Sequence, residues 1–503
     1  MTEHQSIAVL TIVCATTLVM VVACDDDEGT TDPHPFDPPP TTCDVPSPPA
    51  PLGRSVVVGS GSPESCNEEA LREALAGGGD VTFDCGGGDV TIPVTSELVV
   101  AADTYLDGAG SITLDGGGST RIVHTDAHTN LVVQGLRFVN GDATGDDPGS
   151  GGAIRIGWRS TLHVFDCSFE DNRAAAEGIE GGGAIYQSNG GEAVIVRSVF
   201  QGNSAISGGA IDNLLSPLTV VSSSFVENQS YGGGGAIYTD GASENTDDAV
   251  GGVISICGCQ FESNESVGTG GAVYLWAYEP DELIINQCSF VGNRTTRPEG
   301  ESALGGAMRT GNAPCQIANS LFAENHADVH GGAYWTRGNY ATSVENCTFF
   351  RNTAGVPGQE GGYGGALSGF NTHVLSCTFV ENHAEHTGGA LFAEGEQWTL
   401  NDSVFLDNSS SNEWSLSQTC TDTIDGGHVI QWPAPGGDGD PACTQDAVFS
   451  DPLLGELSDQ GGPTQTIPLL EGSPAIDAGE GCPDNDQRGE SRDASCDLGA
   501  FEL

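Results

Sequence analysis

The chain has 503 residues, 73 of them glycine, with only 17% charged residues and a formal net charge of −55. All 15 basic residues are arginine, and so acidic a surface repels nucleic acid, anionic lipid and polyanionic sugars unless divalent cations bridge the contact. Low hydrophobicity with high net charge also describes disordered chains, but Phe, Val and Ile recur here at regular intervals, which argues for a folded core.

Ile7 to Ala23 is an unbroken stretch of apolar and small residues about 17 long, short for a membrane span and suited to a signal peptide over residues 1–23. It ends Val21-Val22-Ala23-Cys24, which resembles a bacterial lipobox. The resemblance implies cleavage before Cys24, diacylation of its sulfur, and an exported protein held by lipid at the cell envelope, on the outer membrane or cell surface. Two acyl chains give stable anchoring where one gives marginal binding, so the membrane is the first expected partner. Met1 to Ser6 departs from the usual pattern, lacking Lys and Arg and carrying Glu3. Residues 24–52 read as a tether: Asp25-Asp26-Asp27-Glu28 opens it, and nine prolines fall between Pro33 and Pro51. Such a chain extends as polyproline II at roughly 3.1 Å per residue.

Cys66-Asn67-Glu68-Glu69-Ala70-Leu71-Arg72-Glu73-Ala74-Leu75 reads as a short amphipathic helix leading into a strand at Val81-Thr82-Phe83-Asp84. Beyond it two motifs alternate. Gly-Gly-Ala-apolar begins at Gly151, Gly182, Gly208, Gly234, Gly270, Gly305, Gly331, Gly364 and Gly388. Phe-x-x-Asn occurs at Phe169/Asn172, Phe200/Asn203, Phe225/Asn228, Phe261/Asn264, Phe290/Asn293, Phe322/Asn325, Phe349/Asn352, Phe379/Asn382 and Phe405/Asn408. A period of 24 to 36 residues defines a unit too small to bury its own apolar face, so units stack. Runs such as Ala193-Val194-Ile195-Val196 supply three- to five-residue strands, and three per unit make one coil of a parallel β-helix. Phe then stacks inside, Asn forms a ladder at a tight turn, and longer units carry projecting loops. Cys167, Cys259, Cys288, Cys347 and Cys377 lie two residues before the repeat Phe, where the other units have Ser198, Ser223, Ser320 or Ser403. Interchange of Cys with Ser at one inward position is packing rather than metal binding. Cys66, Cys85, Cys420, Cys443, Cys482 and Cys496 fall outside that ladder and are disulfide candidates, their pairing unreadable.

These two motifs, over residues 151 to about 410, resemble the repeats of chlamydial polymorphic outer membrane proteins. That family consists of autotransporters with β-helical passengers, several implicated in adhesion; a C-terminal barrel is not found here, so autotransport does not carry over. Asp451-Pro452-Leu453-Leu454, the run from Gly472 to Gly479, Asp486-Gln487-Arg488-Gly489 and the run from Asp497 to Glu502 are similar to the choice-of-anchor Q domain of secreted bacterial β-helix proteins. The expected fold is therefore all-β: a right-handed parallel β-helix, a pectin-lyase-like solenoid, with a short N-terminal capping helix. Residues 53–415 form the helix, with repeats over 151–408, and residues 416–503 a C-terminal cap.

Parallel β-helices often act on polysaccharides, which requires carboxylates or a base at defined separation. The pairs Asp146-Asp147 and Asp247-Asp248 sit in polar loops and read as solvated turns. Asp484-Asn485-Asp486 and Asp438-Gly439-Asp440 have spacing that suits calcium, though no calcium site is assigned and no other cofactor is implied. His326, His330, His383 and His386 recur across one intervening unit and read as exposed turn residues in preference to a zinc or copper site. One surface does emerge. The residue after each Gly-Gly-Ala-apolar tetrapeptide should point outward, and the series is Arg155, Tyr186, Asp212, Tyr238, Tyr274, Arg309, Trp335, Ser368 and Phe392. Tyr186, Tyr238, Tyr274, Trp335 and Phe392 would form an aromatic line with a pitch near 4.8 Å, a docking face for polysaccharide or a surface protein. The alternative is aromatic stacking hidden under loops. The function expected is a non-catalytic, lipid-anchored surface protein for adhesion or glycan or protein binding. A polysaccharide lyase or glycoside hydrolase on the same scaffold is the alternative, and no catalytic cluster favours it.

Overall fold

The computed structural model describes residues 41–146, 148–244, 250–298, 302–395, 397–412 and 415–503. Cys24, the signal peptide, the tether up to residue 40, Asp147 and the pair Asp247-Asp248 lie outside the described residues. Over Ser55–Trp432 the chain is a parallel β-solenoid of about 14 turns with one α-helix near its start. Its coils build three parallel sheets of 23, 11 and 8 strands. The first sheet takes two short strands from each repeat coil, such as Leu162–Phe165 and Ser168–Glu170. The second takes one, such as Ile185–Ser188, and the third another, such as Ser204–Ser207.

Each motif has a distinct physical duty. Ten phenylalanines, Phe138 and the nine of the repeat, stack face to face at 4.7–4.9 Å with planes within 6° of one another, all buried. The asparagines run as an unbroken amide ladder from Asn172 to Asn408. Asn264 is typical: its Nδ2 donates to Phe225 O and to Asn293 Oδ1, both at 2.9 Å. Its own Oδ1 accepts from Asn228 N and Asn228 Nδ2, each at 3.0 Å, so a fully buried amide is left with no unmet bond.

The two glycines of Gly-Gly-Ala serve differently. The first is left-handed in every unit, with φ between 54° and 72°. The second needs no special torsion, but a Cβ there would meet the backbone of the next coil: at Gly209 the carbonyl of Gly235, at Gly235 that of Gly271. The residue before each ladder Cys or Ser, such as Asp166 or Arg197, is also left-handed and turns the first sheet through its corner. The side chain that follows closes this corner. Ser198 Oγ donates to Val196 O at 2.9 Å and accepts from Cys167 N at 3.2 Å; Cys377 Sγ donates to Leu375 O at 3.3 Å and accepts from Cys347 N at 3.4 Å. A thiol and a hydroxyl thus do the same job, which is why they interchange. The ladder thiols are free and buried, and burial pushes Cys167 up to about 12.

At the N-terminal end the helix α1 (Glu68–Gly77) covers the first coils, burying Leu71, Ala74 and Leu75. Asn67 caps it, accepting from Ala70 N at 3.1 Å, and Gly78 ends it at φ 63°. Four disulfides form: Cys43–Cys257, Cys66–Cys85, Cys420–Cys443 and Cys482–Cys496. The first of these bonds the described end of the tether to the flank of the solenoid, 214 residues away, and Thr42 N donates to Gln287 Oε1 beside it. Beyond Trp432 the chain carries no further strand. It folds back along the outer face of the first sheet, where Ala500 N donates to Thr378 Oγ1, Thr348 Oγ1 to Gln487 Oε1, and Asn346 Nδ2 to Asn485 O. The C-terminal motif residues hold one another: buried Asp486 pairs with Arg488, and Glu502 with Arg492.

Candidate functional site

The nine residues that follow Gly-Gly-Ala-apolar fall in one line across the second sheet, strictly in register from Arg155 to Phe392. Their exposure divides them. Tyr186 and Trp335 are buried, whereas Tyr238, Tyr274 and Phe392 are half-buried with part of each ring reaching solvent. Tyr186 lies under the Arg155 guanidinium, 5.4 Å from its ring centre. Phe392 packs on Tyr363 and His330 at 5.0 and 6.0 Å. Tyr238 and Tyr274 stack on each other at 4.7 Å and form the aromatic floor of a groove of about 540 Å³. Ile179, on a projecting loop, and Ile206 stand at its rim, and Arg309 closes one end.

Arg309 is held by rings alone. Its guanidinium carbon lies 4.8 Å from the Tyr274 ring, 5.0 Å from Trp335 and 5.5 Å from Trp276. Trp276 belongs to the neighbouring outward line, two residues further along the strand. It reaches Arg309 because the next coil has Gly311 beside it, where a Cβ would lie 2.5 Å from the indole. Arg309 makes no hydrogen bond or ion pair among the described residues, and burial draws its pKa down. The cation persists because the faces of the rings are negative.

At the other end of the pair lies Asp212, three coils before Arg309 and fully buried. Ser207 Oγ and Gly181 N donate to one of its oxygens at 2.7 and 2.8 Å; the other has no partner. Burial pushes this carboxyl up to about 7, against the pull of those two hydrogen bonds. Asp240, on the groove wall, accepts from Tyr278 Oη at 2.6 Å.

The remaining candidates are structurally engaged. Asp440 accepts from Gln418 N and Gly436 N, and Asp146 lies 3.4 Å from Arg121. His326 Nδ1 meets Thr353 Oγ1 at 2.7 Å and His383 Nδ1 meets Ser409 Oγ at 3.0 Å, while His330 and His386 pack against Tyr363. Among the described residues no three His, Cys, Asp or Glu side chains converge to hold a metal. Sequence reasoning overlooked Trp276, the bond between Cys43 and Cys257, and the burial of Asp212. The signal for Trp276 was its place two residues after Tyr274; nothing local marked the other two.

The Chlamydia polymorphic membrane protein repeat matches residues 166–188 and 222–240, each stretch holding one Phe-x-x-Asn and one Gly-Gly-Ala unit. No curated protein matches the chain in sequence. Among solved structures, the surface adhesin PfbA of Streptococcus pneumoniae is similar at 12% identity and a TM-score of 0.35, over 84% of this chain and 99% of its own. The pectate lyase Pel9A is similar at 13% identity and a TM-score of 0.32, over 84% of this chain and 87% of its own. The chain thus carries polymorphic membrane protein repeats on a parallel β-solenoid.

Proposed function

We propose that this is a non-catalytic β-helix protein, exported and lipid-anchored through Cys24 on the outer membrane or cell surface, which binds glycan or a surface protein through the second sheet. The observation that carries the binding reading is the stacked Tyr238–Tyr274 pair lying open along a groove. Aromatic faces with a few polar groups at the ends are the usual composition of a ligand site. Four disulfides suit an oxidising compartment outside the cytosol, and repeats of a membrane-protein family accord with a surface location. The C-terminal segment is read as a choice-of-anchor Q-like cap. Two experiments test the proposal. The full chain is screened on a glycan and surface-protein panel beside a Tyr238→Ala/Tyr274→Ala variant: the wild type should bind and the variant should lose at least tenfold in affinity. Equal binding by both would remove the groove from the account. Cys24→Ser should move the protein from the membrane fraction to the soluble one, and retention at the membrane would discard the lipid anchor.

One observation favours a polysaccharide lyase or glycoside hydrolase instead: Asp212, a carboxyl that burial pushes up to about 7, pairs in register with the groove residue Tyr238. A second carboxylate is required for hydrolysis, and Asp240 is the nearest candidate on the groove wall.

A further inference from the structure

We propose that the groove selects a saccharide bearing a carboxylate, seated by the Arg309 guanidinium; this rests on the binding reading given above. With 70 acidic and 15 basic residues, an arginine in this chain has no shortage of partners. Those placed elsewhere show it: Arg121, Arg155, Arg173, Arg197 and Arg351 each pair with Asp or Glu. Arg309 alone of the outward line is walled by Tyr274, Trp276 and Trp335 and given no anion, and its Nε is shielded from water without a hydrogen-bond acceptor. Removing a cation from water without pairing it is costly. The ring faces offset part of that cost. The donors left over form the planar fork that matches a carboxylate with two parallel bonds.

The rest of the groove fits a sugar. The half-buried Tyr238 and Tyr274 rings extend the floor away from Arg309 by two coils, about 10 Å at the coil spacing. That length accommodates two sugar rings stacked on aromatic faces. Asp240 stands on the groove wall two coils from Arg309, where its carboxylate accepts from a hydroxyl and repels a carboxylate. The polarity of the groove therefore fixes the orientation of the ligand, with its acid at Arg309 and a hydroxyl at Asp240. One guanidinium against a net charge of −55 suits an isolated carboxylate, not a dense polyanion.

The test is titration of the full chain, purified in detergent, with sialyllactose against lactose and with glucuronic acid-terminated disaccharides against their methyl esters. Tryptophan fluorescence reads the binding, since Trp276 and Trp335 flank Arg309. The expected result is at least tenfold tighter binding of one acid form than of its neutral partner. Arg309→Gln, shown to be folded by circular dichroism, should erase that preference, and Arg309→Lys should retain part of it. Equal affinity for acid and neutral forms, or a preference that survives Arg309→Gln, overturns the inference and leaves the binding reading standing. Absence of binding by every sugar in the panel, with the protein shown to be folded, overturns both.

Discussion

Asn264 illustrates how much a single buried side chain carries in a stacked fold. Its amide serves the coil before it and the coil after it, so Asn264→Ala orphans donors and acceptors on both sides. Each buried group left unpaired costs about 1–3 kcal/mol, and we expect a lowered thermal midpoint with loss of β signal in circular dichroism. Cys288→Ser at the neighbouring ladder should change stability by less than about 1 kcal/mol, because Ser320 already makes the same corner contact one coil on. Asp212 supplies a pH signature. Its carboxyl titrates near 3.8 in the unfolded chain and at about 7 in the folded one. The folded state therefore binds the extra proton, and the stability tied to that proton is full below about 4 and lost as pH rises to about 7. Asp212→Asn cannot titrate, so wild-type stability relative to this variant should fall across that window and level off above it. Urea midpoints at pH 4, 5.5, 7 and 8.5 read this directly, and parallel curves for the two proteins would contradict the assigned shift.

At the scale of the coil, cooperation runs between neighbours. The second glycine of each Gly-Gly-Ala faces the backbone of the following coil, so Gly235→Ala should open a local gap between coils and cost about 3 kcal/mol, the upper end of overpacking effects. The inward ladders were legible because stacking forces identical residues into one line: Phe, Asn, Cys or Ser, and Gly-Gly recur at a readable period, and the outward line after Gly-Gly-Ala-apolar follows by alternation. What lay between coils was not legible. Tyr186 is buried under the Arg155 guanidinium of the preceding coil, and Trp276 reaches Arg309 only because the next coil happens to have Gly311. The bond between Cys43 and Cys257 joins segments 214 residues apart; one of its cysteines lies in a proline-rich stretch with no strand pattern. The return of the C-terminal segment along the first sheet rests on isolated bonds such as Ala500 to Thr378, which leave no periodic trace.

For the molecule as a whole, an acidic solenoid closed at one end by α1 and bonded by disulfides presents a groove with aromatic faces and a cation that has no anionic partner among the described residues. A net charge of −55 is expected to repel polyanions, which leaves ligand choice to local groups. The four disulfides and the buried free thiols make a further prediction: a thiol reagent should label none of the ladder cysteines in the native, unreduced protein and all of them after denaturation. The central claim, binding without turnover, is tested most directly by measuring reducing-end and unsaturated-product release in the same samples used for binding, on a polysaccharide panel with calcium. The account predicts a bound sugar whose retention depends on Tyr238 and Tyr274, with no product formed. Product release that disappears in Asp212→Asn would contradict it and place catalysis at the buried carboxyl.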